Sequence, residues 1–127
     1  MKKLFTFFLL VAFNIQGFSQ GLNMSLVGSY DASWNNSRGS DVWGWVDGNG
    51  TEYALVCLSD RFSVINLSNP ASPTEEFYID ESLYQSNKRD VKTFGNYAYI
   101  TTEAYEGLLI VDLNDMTGNT FWRVSTF

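Results

Sequence analysis

The sequence predicts an all-β chain made of two copies of a four-stranded unit plus an N-terminal strand, the organisation of β-propeller blades. Three observations carry this expectation. A β-branched and leucine-rich run ending on a side-chain acceptor and one more leucine occurs twice, as Phe62-Ser63-Val64-Ile65-Asn66-Leu67 and as Leu108-Leu109-Ile110-Val111-Asp112-Leu113. Breaks rich in Gly, Asn, Asp, Ser and Pro separate the apolar runs, and no long amphipathic period follows the first residues. The copies are offset by 49 residues from Asp41 to Asp90 and by 46 from Ile65 to Val111, against roughly 40 to 50 for known blades. A two-sheet sandwich of eight or nine strands would permit the same strand count. It gives no reason for two units to share their order of turn, apolar strand and terminal Asp or Asn.

The elements follow in order. Residues 23–30 alternate weakly and read as one strand, and 31–39 form a polar, turn-rich loop. The first unit spans 40–79. Its opening strand, 40–46, carries Trp43 and Trp45 two apart and so on one face. Asp47-Gly48-Asn49-Gly50 supplies the positive φ that a tight hairpin requires. Residues 52–58 are a continuous apolar run, and 62–67 follow a short turn at Ser59-Asp60. Pro70 and Pro73 then break the ladder, because proline has no amide hydrogen to give. Residues 75–79, with adjacent acids, suit an outer edge. After a polar bridge the second unit spans 88–127: strand 89–94, turn Gly95-Asn96, strand 97–100, a longer turn 103–107, strand 108–113, break 114–119 and strand 120–127.

Residues 1–19 stand apart from this pattern. Met1-Lys2-Lys3 precedes the apolar run 4–13, and the small residues Gly17 and Ser19 occupy the −3 and −1 positions of a cleavage site before Gln20. This is the pattern of a secretory signal peptide, and the run is shorter than the roughly 20 residues that span a bilayer. The expectation is export, with no membrane span after cleavage. Removing the leader leaves six basic against 14 acidic residues, a net charge of −8. Such a surface repels phosphate backbones and excludes nucleic acid as a partner.

The chain has one cysteine and no histidine. Cys57 sits in an apolar strand, where it serves as a small hydrophobe, and neither a Ser-His-Asp nor a Cys-His device can be built. Asp41 and Asp90 hold equivalent places in the opening strands of the two units. Carboxylates there could line a channel and bind a cation such as calcium through oxygen, or accept backbone amides. Residues 47–58 do not form an EF-hand loop, since Glu52 stands at the glycine position and Leu58 at the terminal glutamate position. Most of the aromatic residues fall within strands and are expected to pack. Trp34 and Tyr105 fall in loops and are the expected ligand-binding residues, for a protein or carbohydrate partner.

Ile65-Asn66-Leu67-Ser68-Asn69-Pro70-Ala71-Ser72-Pro73 and Gly107-Leu108-Leu109-Ile110-Val111-Asp112-Leu113 resemble the LVIVD repeat. Ser40-Asp41-Val42-Trp43-Gly44-Trp45 with Glu52-Tyr53-Ala54-Leu55-Val56, and then Arg89-Asp90-Val91-Lys92, resemble the opening of the choice-of-anchor B proteins. The likeness runs over residues 24–115. It implies an exported bacterial β-propeller-like protein held at the cell surface by a C-terminal anchor, and it carries no catalytic residues. The chain departs from the pattern by having neither later blades nor an anchor, and by Asn114-Asp115-Met116 in place of the proline break. Closure of a propeller takes roughly four to eight blades. The two seen here are therefore expected to be the N-terminal portion of a longer protein, with its remaining blades as partners, or to close by association. The expected role is an exported module that binds or scaffolds and uses no cofactor. The alternative is a secreted carbohydrate-active hydrolase whose site lies mostly in other blades, with Asp41 and Asp90 as the formal two-carboxylate candidates.

Overall fold

The computed structural model describes residues 24–31, 37–80 and 84–124. They form two antiparallel four-stranded sheets. The first has β1 (Gly39–Val46), β2 (Glu52–Leu58), β3 (Phe62–Asn66) and β4 (Thr74–Ile79); the second has β5 (Arg89–Phe94), β6 (Tyr97–Thr102), β7 (Leu108–Asp112) and β8 (Phe121–Val124). Each sheet is a simple meander, β1-β2-β3-β4 and β5-β6-β7-β8. There is no helix among the described residues, and so none long and apolar enough to cross a membrane.

The repeat is visible in the pairing. Tyr53 faces Asn66 in the first sheet and Tyr97 faces Asp112 in the second. Both acceptors hold the turn that follows them. Asn66 Oδ1 accepts the Ser68 amide at 2.8 Å and Asp112 Oδ1 accepts the Asn114 amide at 2.9 Å. The next leucine amide donates back across the sheet in each case, Leu67 to the Glu52 carbonyl and Leu113 to the Asn96 carbonyl. The β1–β2 turn is fixed by Asp47 Oδ1, which accepts the amides of Asn49 and Thr51 at 2.8 Å, and by Gly50 at φ +86°. An L side chain at that φ would be strained.

Alternation decides which residues meet between the sheets. Trp45, Tyr53, Leu55, Cys57, Phe62 and Val64 project from one face of the first sheet. Val91, Ala98, Ile100, Leu109 and Val111 project from the second, and all belong to one buried cluster. Phe62, Leu55, Val91 and Val111 are fully buried, each contributing on the order of 1.5–3 kcal/mol by leaving water. In repeat terms Asp41 matches Asp90 and Val42 matches Val91. The first sheet therefore uses the face bearing Asp41, and the second uses the opposite face, the one bearing Val91. The sheets stack front to back, as blades do.

The expected N-terminal strand is corrected. Among the described residues, Met24–Asp31 joins no sheet. It crosses the outward face of the first sheet and leaves an apolar groove of about 430 Å³ lined by Val27, Tyr30, Ala54, Val56, Ile65 and Leu67. Gly28 permits this approach, because a Cβ there would overlap the Pro70 carbonyl oxygen. The weak alternation of the segment did not encode a buried face: Met24 and Leu26 remain 85% and 86% exposed.

Candidate functional site

The inner strands β1 and β5 lie side by side, and polar side chains stitch the seam between them. Ser40 Oγ accepts the Arg89 amide at 2.7 Å. One step along, Asp41 Oδ2 accepts the Val91 amide at 3.0 Å. Trp43 Nε1 donates to Thr93 Oγ1 at 3.0 Å, and Trp45 Nε1 donates to the Gly95 carbonyl at 3.3 Å. Period-2 alternation puts Asp41, Trp43 and Trp45 on one face, and each satisfies a group of the second sheet.

The structure brings Asp41 and Asp90 to one place through Lys92. Its ammonium lies 3.4 Å from Asp41 Oδ2 and 2.5 Å from Asp90 Oδ1, donates to the Val91 carbonyl at 2.8 Å, and stands 4.6 Å from the centre of the Trp43 ring. The positive charge these carboxylates face is the protein's own, and a cation such as calcium would have to displace it. No group of three or more His, Cys, Asp or Glu that could hold a metal occurs among the described residues.

Asp41 is held down to about 2, from an ordinary 3.8. The Val91 amide is the largest cause, followed by hydrogen bonding with Asp90, the Val42 amide and the Lys92 charge. A folded-state value below the unfolded one means the stabilisation is complete above the ordinary carboxylate value and is lost as pH falls through the folded one. Wild-type stability should therefore fall between about pH 3.8 and pH 2. Asp41→Asn should lose stability at neutral pH and show a shallower fall across that window. Some slope remains, because Thr117 and Thr120 hold Asp115 down to about 2 as well. Urea midpoints across the acid range check this; an unchanged slope in the variant counts against the assignment. An acid ionised down to about pH 2 does not hold a proton for general-acid hydrolysis near neutrality.

A second cluster at one end of the seam had no motif in the sequence. Arg89 and Glu106 form a bidentate ion pair, with Nη1–Oε2 at 2.9 Å and Nη2–Oε1 at 3.3 Å, and their side chains are 1% and 3% exposed. Arg89 Nη2 also donates to the Tyr84 carbonyl and, at 3.5 Å, to the Ser59 carbonyl of the first sheet. Arg123 stands 3.7 Å from the same glutamate. On the first sheet, Arg61 Nη2 lies 3.0 Å from Glu75 Oε1, though neither atom is aligned for a hydrogen bond, and the guanidinium sits 4.8 Å from the centre of the Tyr78 ring. The only sequence signal was charge at strand ends; which ends meet depends on the stacking.

The expected ligand-binding residues fare differently. Trp34 lies outside the described residues. Tyr105 stands on the β6–β7 turn, 94% exposed, over an open groove of about 480 Å³ lined by Thr102, Glu103, Ala104 and Leu108. A second groove of about 430 Å³ adjoins it, lined by Lys88, Asp90, Thr101 and Glu103. Lys88 and Glu103 pair at 2.8 Å in solvent. The rim thus offers an aromatic face, a cation and two carboxylates, a set able to stack on and hydrogen-bond a polar ligand. Cys57 takes no part: it is fully buried, and burial pushes its thiol up to about 12.

The LVIVD repeat model matches residues 41–81 and 87–119. These stretches contain seven strands, β1 from Asp41 onward through β7, and stop just before β8. No curated protein and no solved structure matches the chain.

Proposed function

The chain belongs to the LVIVD-repeat family, and on that premise we propose that it is an exported, extracellular or cell-surface propeller-type module that works by binding and scaffolding. The leader pattern in residues 1–19 supports export. The opening motifs support the finer placement among choice-of-anchor B proteins. The partner is a protein or a carbohydrate, and the acidic balance of the chain disfavours nucleic acid.

The observation that carries the binding reading is Tyr105. A tyrosine 94% exposed above two adjoining grooves, with Lys88, Asp90 and Glu103 beside it, gains nothing for folding by standing there. Stacking on a sugar face or a peptide side chain would bury it. Screening the chain against a glycan array and a panel of secreted proteins should find a ligand whose affinity Tyr105→Ala weakens roughly tenfold or more. Stability should change by no more than about 0.5 kcal/mol, as for other exposed sites. A ligand bound equally well by the variant would remove Tyr105 from the site.

A further inference from the structure

We propose that Met24–Asp31 is a latch on the first sheet: it fills the place that a neighbouring sheet takes on the second, and it opens while both sheets stay folded. The repeat defines that place. Val42, Ala54, Val56 and Ile65 project outward from the first sheet at the positions of Val91, Ala98, Ile100 and Val111 in the second. The second set is buried in the core that the two sheets share. Over the first set there is no further sheet among the described residues. Met24–Asp31 runs across Ala54, Val56, Ile65 and Leu67 instead, and Ile65 is only 2% exposed.

Two contacts hold the segment in place. A Cβ on Gly28 would overlap the Pro70 carbonyl oxygen and stand 2.9 Å from the Ala71 Cα. These are backbone atoms of a turn that is itself fixed: Asn69 Oδ1 accepts the Ala71 amide at 3.2 Å, and the Asn69 carbonyl accepts the Ser72 amide at 2.9 Å. The turn cannot give way, so only glycine lets the segment lie this close. Two residues on, Tyr30 lies beside the ion pair of Arg61 and Glu75, whose charged atoms are 3.0 Å apart. Burial and the Glu75 carboxylate push its phenol up, with the Arg61 charge acting the other way.

Little else ties the segment down. Among the described residues, no backbone hydrogen bond joins residues 24–30 to either sheet. Val27 is 62% exposed, and the groove of about 430 Å³ left beneath the segment shows that it is not close-packed along its length. Neither its residues nor Ile65 belong to the cluster that holds the two sheets together. Few hydrogen bonds and few buried contacts mark a unit that opens below the free energy of global unfolding. Opening uncovers Ala54, Val56 and Ile65 and leaves both ladders and the shared core whole. It depends neither on export nor on a ligand at the Tyr105 rim.

Thiol labelling of the purified chain tests this. Cys57 is fully buried in the shared core and reports unfolding of the sheets. A second thiol introduced by Ile65→Cys, beneath the segment, reports opening of the latch. With Ellman's reagent in excess, the introduced thiol should react roughly tenfold or more faster than Cys57, because a local opening is more frequent than a global one. Adding Gly28→Ala, or separately Tyr30→Ala, should speed the introduced thiol roughly tenfold again while Cys57 keeps its rate. Equal rates for the two thiols would mean that the segment leaves only when the sheets unfold, and would overturn the proposal. Both added variants labelling as slowly as their parent, or both failing to fold, would do the same. So would an introduced thiol as reactive in the parent as one in free solution, since the segment would then not cover the face.

Discussion

Arg89→Met should destabilise the protein by about 3–5 kcal/mol, the cost of leaving a buried charge without its partner. Glu106, at 3% side-chain exposure, would keep a charge with Arg123, 3.7 Å away, as its remaining basic neighbour among the described residues. The Ser59 and Tyr84 carbonyls would lose a donor as well. The ion pair itself need not stabilise the fold, because desolvating two charges offsets most of their attraction. The double variant Arg89→Met/Glu106→Leu should therefore recover much of the loss. Urea midpoints of the three proteins check this. A double variant as unstable as the single one would mean that the packing of the arginine, or its hydrogen bonds to carbonyls, matters more than the charge.

Phe62→Ala should cost a similar amount, about 3–5 kcal/mol, from lost transfer energy and the cavity left behind. Phe62 is fully buried and pairs across the sheet with Cys57 and Ile79. Trp45, Leu55 and Val64 of the first sheet share one cluster with Val91, Ile100 and Val111 of the second, so neither sheet keeps its core without the other. The loss should therefore be felt in both. Hydrogen exchange should show the amides of β6 and β7 losing protection together with those of β2 and β3. If β6 and β7 keep their protection in Phe62→Ala, the sheets unfold independently. A single domain of ordinary stability, about 5–15 kcal/mol, would survive one of these two substitutions with little margin.

Much of this architecture was legible because strand structure is written locally. Period-2 alternation, Gly50 in a turn, and the breaks at Pro70 and Pro73 placed the strands of the first sheet to within a residue or two. The duplicated Asn66 and Asp112 revealed the repeat. The candidate site was less legible. Asp41 and Asp90 lie in the opening strands of the two sheets, but their surroundings depend on Lys92, which lies two residues from one and 51 from the other. Arg89 and Glu106 carried no signal beyond charge at strand ends, since burial of a charge pair is decided by which strand ends come together. Residues 23–30 read as a strand from their weak alternation, yet a strand also requires an edge to pair with, and Met24–Asp31 instead lies across a sheet face.

The sequence by itself determined that this is an all-β chain of two similar four-stranded units, since each strand and turn depends on residues near in the chain. It also determined the family, because repeat order and spacing are properties of the linear text. Only the tertiary structure decided which face of each sheet is buried and which is open. It also decided that Asp41 serves the neighbouring blade's Val91 amide, and that Tyr105 stands clear of the core. Those outcomes depend on the front-to-back stacking of the two sheets, which joins residues about 50 positions apart. No local pattern encodes that contact; the burial of one shared core imposes it.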